Sequence, residues 1–171
     1  MLLLLPDEAA TLALGRALAV SLPENGPYPA LLLSGGLGAG KTTLARGLVS
    51  ALPGAEAAEV ASPSFNIVNY YPTFPPVAHF DLYRLEGLPP DEDLHDCLAD
   101  PGVLVLVEWA QYLAPAHFTE DFLSLAWQDA DQGRALDIQA HGPASRLLLA
   151  ALGQAWKNES GQMPAQSARK D

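Results

Sequence analysis

Apolar residues recur along the chain in two patterns, short unbroken runs and longer stretches with helical spacing. The unbroken runs predict an opening strand at residues 2–5 and two buried strands, at 30–33 and 103–107. Helical spacing predicts four helices, at about residues 7–20, from 41 to the Pro53-Gly54 pair, at 91–98 and at 143–156. Strands and helices that alternate in this way are typical of an α/β domain.

Runs rich in β-branched and aromatic residues complete the predicted sheet. Two of them, at 65–71 and 77–83, are joined by a proline-rich turn and could pair as an antiparallel hairpin. Two further strands are predicted at 122–127 and 134–140. The expected fold is therefore α/β, with a mixed, mostly parallel sheet flanked by helices.

Residues 35–42 carry a motif that predicts a binding site. From Gly35 to Thr42 the chain fits G-x-x-x-x-G-K-[ST], the phosphate-binding loop, between a predicted strand and a predicted helix. Glycine lets such a loop bring backbone N–H groups close to phosphates. Lys41 is expected to reach the β- and γ-phosphates and the Thr42 hydroxyl to ligate Mg²⁺, at the positive end of the helix. The sequence therefore predicts a P-loop NTPase fold that binds a nucleoside triphosphate.

Composition limits the class of protein. The chain has 171 residues, 49% hydrophobic and 17% charged, which is enough to bury a single core, so residues 1–156 are predicted to form one domain. Residues 157–171 have no hydrophobic periodicity and little apolar content, and are predicted to form a disordered tail. A net charge of −11 with scattered basic residues argues against direct, tight tRNA or other nucleic-acid binding. One cysteine, no signal peptide and no apolar run of about 18 residues indicate a cytoplasmic protein.

Two acidic residues are candidates for organising metal and water. Glu108 directly follows the predicted strand 103–107, where P-loop proteins place a second Mg²⁺-organising group. The alternative is a solvated carboxylate beyond a strand end. Asp81 is the second candidate, with an ordinary ion pair to Arg84 as an equally weighted alternative.

Four segments occur together in a fixed order. They are the phosphate-binding loop, Ser62-Pro63-Ser64-Phe65, His79-Phe80-Asp81-Leu82-Tyr83-Arg84-Leu85 and Val107-Glu108-Trp109. In order and spacing they resemble the bacterial TsaE family, the ATPase of tRNA threonylcarbamoyladenosine biosynthesis. The resemblance covers roughly residues 5–152 and includes the opening Pro6-Asp7-Glu8.

The resemblance implies a role for each matching residue. The implied nucleotide-binding residues are Asp7, Glu8, Gly38, Ala39, Gly40, Lys41, Thr42, Thr43 and Trp109. The implied catalytic residues are Lys41, Asp81 and Glu108, and the implied Mg²⁺ ligands are Thr42 and Glu108. A mobile, switch-like loop that senses the γ-phosphate is implied at Ser62, Pro63, Ser64 and Phe65.

The chain departs from the family pattern at two positions in these segments. Gly36 stands where the family usually has aspartate, which removes a carboxylate near the phosphates. Ser64 stands where the family usually has threonine, which keeps a hydroxyl.

The three tryptophans are expected to differ in their distance from the nucleotide. A tryptophan is more often core than ligand-stacking, but the resemblance places Trp109 near the nucleotide. Its fluorescence is therefore expected to respond to ATP or ADP, while Trp127 and Trp156 are expected to report little.

By resemblance, the chain binds ATP and Mg²⁺ and serves the machinery that modifies the adenosine next to the anticodon. ATP hydrolysis is implied to energise or reset a partner transferase complex, whose proteins carry out the transfer itself. The implied partners are proteins of that complex, with no membrane involved.

Three other functions are alternatives for a chain with this loop. A small-molecule kinase needs several lid arginines, and only Arg46 and Arg84 lie near predicted site elements. A GTPase needs an N-K-x-D segment, which the chain lacks. The third alternative is a nucleotide-gated binding module, in which ATP orders the Ser62 loop without useful hydrolysis.

Overall fold

The computed structural model describes residues 1–63, 66–86, 89–90, 92–128, 130 and 133–162. The strands within them are β1 Leu2–Leu5, β2 Ala30–Ser34, β3 Val68–Tyr71, β4 Val77–Asp81, β5 Leu104–Glu108, β6 Phe122–Gln128 and β7 Arg134–His141. The α-helices are α1 Glu8–Ser21, α2 Lys41–Val49, α3 Glu92–Ala99 and α4 Pro143–Gln162. No helix in the described part of the chain has the length and apolar character needed to cross a membrane.

All seven strands belong to one sheet, in the order β1-β7-β6-β2-β5-β4-β3. The centre is parallel, because β2 pairs with β6 and β5 and β5 pairs with β4 in the same direction. The hairpin of β3 and β4, and the pairings of β7 with β6 and β1, are antiparallel. The predicted α/β fold with a mixed sheet and flanking helices is confirmed. Its carboxyl edge brings together the ends of β2, β4 and β5.

The alternation of side chains along β2 divides the core into two clusters. Leu31 and Leu33 face one cluster, which buries apolar residues of α1, α2 and α4. Leu32 faces the other cluster, which includes Leu94 of α3 and Val107 of β5. A strand buried on both faces needs apolar residues at every position, which explains the unbroken run in the sequence.

Helices α1 and α2 pack with their backbones in close contact. A Cβ atom added at Gly15 would overlap the carbonyl oxygen of Leu44, and one added at Gly47 would overlap that of Leu12. Glycine at both positions lets α2 lie directly against α1. This contact fixes the helix that follows the phosphate-binding loop.

Two helix ends differ from the prediction. Helix α2 ends at Val49 and not at Pro53, because the N–H groups of Ala51 and Leu52 donate to carbonyls three residues back in tighter turns. Helix α4 continues past Trp156 to Gln162, so the disordered tail predicted from residue 157 is wrong for residues 157–162. A helix anchored by packing can extend beyond its apolar pattern, because each added residue continues the ladder of backbone hydrogen bonds without a new nucleus. Residues 163–171 lie outside the described residues.

The hairpin strands are shorter than predicted. Strand β4 ends at Asp81, whose side chain accepts a hydrogen bond from the N–H of Tyr83 and starts a turn. Strand β3 begins at Val68, because Ile67 has a left-handed backbone (φ 68°) and donates its N–H to Pro63 O at 2.7 Å. Phe65, the predicted start of β3, lies outside the described residues.

Candidate nucleotide-binding site

The phosphate-binding loop connects β2 to α2. Gly40, the residue before α2, has a left-handed backbone (φ 115°) that favours glycine. Lys41 is only 4% exposed, and its Nζ donates to the carbonyl oxygens of Gly35 and Gly36, both at 2.8 Å. The loop therefore curves around a buried ammonium group, beside the N-terminus of α2.

An aromatic ring covers this ammonium group. The Lys41 Nζ lies 3.9 Å from the ring centroid of Trp109, which stacks in turn on Tyr112. Burial lowers the pKa of Lys41, and the nearby Glu108 and Asp81 carboxylates oppose that shift. Trp109 is only 9% exposed and lies within the second core cluster, yet it also lines the pocket described below. It is thus both a core residue and a site residue.

The two candidate carboxylates lie side by side at the ends of β4 and β5, where Asp81 is the register partner of Glu108. Glu108 is 2% exposed, which excludes a solvated carboxylate. Its Oε2 accepts from Thr42 Oγ1 at 2.9 Å, and its Oε1 lies 2.9 Å from His79 Nε2. Register between parallel strands has therefore placed Glu108 against the first turn of α2.

The Thr42 hydroxyl and the Glu108 carboxylate fit Mg²⁺. Both offer oxygen, the donor that this ion prefers, and they already lie at hydrogen-bond distance from each other. Among the described residues no cluster of three or more His, Cys, Asp or Glu could hold a metal ion. The pair suits an ion that takes its other ligands from substrate phosphates and water.

Two donors among the described residues hold Asp81. Its Oδ2 accepts from Ser62 Oγ at 2.6 Å and its Oδ1 from the N–H of Tyr83 at 2.9 Å. Neither donor is Arg84, the alternative ion-pair partner that the sequence suggests. Because Ser62 belongs to the predicted switch loop, the carboxylate is linked directly to that segment.

These elements enclose a pocket of about 460 Å³. It is lined by Glu8, residues 37–43, Ser62, Asp81, Tyr83, Glu108, Trp109 and Arg134.

Two predicted site residues are absent from this lining. Asp7 instead caps α1, accepting from the N–H of Ala10 at 2.8 Å, and Pro63 is buried. The switch-loop residues Ser64 and Phe65 lie outside the described residues.

Sequence analysis missed two residues beside the loop. Arg134 lines the pocket and donates from Nη2 to Gly38 O at 3.2 Å. The Trp127 indole N–H is buried with no acceptor among the described residues, and its nitrogen lies 3.6 Å from where a Cβ of Gly40 would be. No local pattern marks either residue, since both lie on strands brought to the loop by long-range pairing. The expectation that Trp127 reports little on the nucleotide is therefore revised.

The sequence of the chain identifies its relatives. Residues 5–136 match the family model for threonylcarbamoyl adenosine biosynthesis protein TsaE. The chain belongs to the TsaE family. This confirms the resemblance inferred from the four segments.

The chain is also similar to individual TsaE proteins in sequence and to a crystal structure in fold. The Streptomyces coelicolor tRNA threonylcarbamoyladenosine biosynthesis protein TsaE is 38% identical over 130 residues, 74% of this chain and 82% of that protein. The Bacillus subtilis protein of the same name is 34% identical over 124 residues, 71% of this chain and 76% of its own length. The crystal structure of Bacillus subtilus YdiB superposes with a TM-score of 0.72 at 25% identity, covering 90% of this chain and 94% of that one.

Proposed function

We propose that this TsaE-family chain is a Mg²⁺-dependent ATPase that serves tRNA threonylcarbamoyladenosine biosynthesis. The observation that carries the proposal is the meeting of the phosphate-binding loop, the Thr42–Glu108 pair and Asp81 in one pocket. The pathway is supported by the names of the relatives, which are tRNA threonylcarbamoyladenosine biosynthesis proteins.

The loop residues bind the triphosphate in this proposal. Lys41 exchanges its contacts with the carbonyls of Gly35 and Gly36 for the β- and γ-phosphate oxygens, which are stronger acceptors. The backbone N–H groups at the start of α2 hold the same phosphates. Mg²⁺ held by Thr42 and Glu108 would neutralise charge on the phosphates.

Asp81 orients the attacking water. Its carboxylate is fixed by Ser62 and by the Tyr83 N–H, so it can accept a hydrogen bond from water in a defined direction. The water oxygen attacks the γ-phosphorus while the bond to the β–γ bridging oxygen breaks, which yields ADP and phosphate.

Hydrolysis energises or resets a partner transferase complex. The Ser62–Asp81 hydrogen bond offers the route, because a γ-phosphate that displaces it would rearrange the segment that carries Ser62. ATP is expected to change partner affinity by about 5–150-fold relative to ADP. The isolated chain is not expected to bind tRNA, since its net charge is −11.

Single-turnover phosphate release, with and without the partner complex, tests the proposal. Phosphate release that the partner changes and that Lys41→Ala abolishes would support it. ATP binding with no release in either condition would instead support the nucleotide-gated binding module. Partner affinity that is equal with ATP and ADP, or a gel shift of tRNA by the chain alone, would contradict the coupling and the charge argument respectively.

A further inference from the structure

His79 lies in the middle of β4, two residues before Asp81, and is completely buried. Its register partner on β5 is Leu106, two residues before Glu108. Side chains two apart on a strand share a face, so the imidazole lies directly beneath the carboxylate pair. Its Nε2 reaches Glu108 Oε1 at 2.9 Å.

Within the described part of the chain, this hydrogen bond is the polar contact of the His79 side chain. An ionised carboxylate can only accept, so Nε2 carries the hydrogen and donates it to Glu108. The other ring nitrogen, Nδ1, is buried and has no partner among the described residues. Buried polar atoms without partners are unusual and destabilising, so packing alone does not account for a histidine here.

Glu108 is therefore held at both oxygens by different side chains, Thr42 at Oε2 and His79 at Oε1. If Thr42 and Oε2 turn to a common cation, the Thr42 hydroxyl no longer holds the carboxylate. The His79 contact is on the opposite oxygen and survives that change. Partners of this kind orient metal ligands in many proteins.

We propose that His79 is a positioning residue, which fixes Glu108 so that Oε2 stays directed at Thr42 and at a divalent cation bound between them. This inference rests on the proposed function. It assigns His79 no contact with the nucleotide.

The test measures how binding of a fluorescent ATP analogue depends on Mg²⁺, with EDTA as the metal-free reference. His79→Leu is expected to raise the half-saturating Mg²⁺ concentration by about 10–100-fold, the usual effect of losing such a partner. Metal-free affinity should stay within about threefold, because the loop contacts remain. His79→Gln should restore most of the Mg²⁺ response, since its amide N–H extends about as far as Nε2. His79→Asn, whose side chain is too short to reach Glu108, should show the same Mg²⁺ dependence as His79→Leu.

Val77→Ala is the matched control. Val77 is buried on the same strand and face, belongs to the first core cluster, and its substitution should lower stability without changing the Mg²⁺ dependence. Wild-type Mg²⁺ dependence in folded His79→Leu would overturn the inference. So would the same shift in Val77→Ala, which would assign it to lost stability.

Glutamine and asparagine decide the outcome if the leucine variant does not fold. Equal Mg²⁺ dependence in the Gln and Asn variants would overturn the inference. A lower half-saturating Mg²⁺ concentration in the Gln variant than in the Asn variant would support it. Failure of the proposed function has a different signature, because wild-type protein would then show no analogue binding or none that responds to Mg²⁺.

Discussion

The two halves of the site are built in different ways. The phosphate half is a contiguous stretch, residues 35–42, shaped by backbone conformations such as that of Gly40 and by the start of α2. The carboxylate half comes from two strands, and only the register of β4 with β5 brings Asp81 and Glu108 together. The side chains that fix this pair are distant in sequence, Thr42 and His79 for Glu108 and Ser62 for Asp81. Apart from Thr42, which contacts Glu108, substitutions in the first half should therefore affect phosphate binding, and those in the second should affect metal and water.

Lys41→Ala should have the largest effect, because it removes the charged side chain of the phosphate half. The charge-assisted contacts to the β- and γ-phosphates are lost, so ATP affinity should fall by about 100-fold or more. Titration with a fluorescent ATP analogue measures it, with circular dichroism as the folding control. Unchanged affinity in folded protein would remove the phosphate-loop assignment.

Glu108→Gln and Asp81→Ala test the carboxylate half. Each should slow hydrolysis by about tenfold or more while ATP affinity changes only a few-fold, because these residues organise metal and water. Single-turnover phosphate release and analogue binding are the two measurements. Asp96→Asn, an exposed carboxylate on α3, is the control and should behave as wild type. A carboxylate variant with wild-type turnover would reduce that residue to a structural role.

Gly47→Ala tests whether the helix that follows the phosphate-binding loop depends on its close backbone contact with α1. The new methyl group would overlap the backbone of Leu12, so the free energy of unfolding should fall by about 1–3 kcal/mol. Gly153→Ala in α4 has open space and should instead raise it by about 0.5–1 kcal/mol. Urea denaturation compares the two. Equal effects would show that the α1–α2 contact tolerates a side chain.

Tryptophan fluorescence gives the smallest signal and separates the two sides of the loop. Trp109 covers Lys41 from the carboxylate half, so Trp109→Phe should remove most of the change seen on adding ATP or ADP. Trp127 touches the loop from β6, so Trp127→Phe should remove a smaller share. Trp156 packs against the first core cluster and is absent from the pocket lining, so Trp156→Phe should leave the signal intact. A full fluorescence response in Trp109→Phe would show that another tryptophan reports nucleotide binding.

The same contrast explains how much the sequence could predict. The phosphate-binding loop follows from a local pattern, and the place of Glu108 follows because parallel strands end at the same edge of a sheet. Arg134 could not be found this way, because its approach to Gly38 depends on where β7 lies. The role of His79 was equally hidden, since its residue type fits many positions and only the register shows what it contacts.

The ends of helices and strands were also predicted poorly from the sequence. Helix α4 was predicted to stop where its apolar pattern stops, but a helix ends where its backbone hydrogen bonds end. Strand β4 was predicted to reach residue 83, but a side-chain contact of Asp81 turns the chain first. Both depend on interactions that hydrophobic periodicity does not record.

Ile67, which lies between Ser62 and β3 in the sequence, has a left-handed backbone. A β-branched residue adopts this conformation at a cost of about 1–3 kcal/mol. Two hydrogen bonds hold it there, from its N–H to Pro63 O at 2.7 Å and from the Asp81 N–H to its carbonyl at 2.9 Å. A rearrangement that breaks both bonds also relieves the strain, so the chain before β3 needs less free energy to change conformation than a relaxed loop. Ile67→Gly would remove that difference and make the present conformation harder to leave.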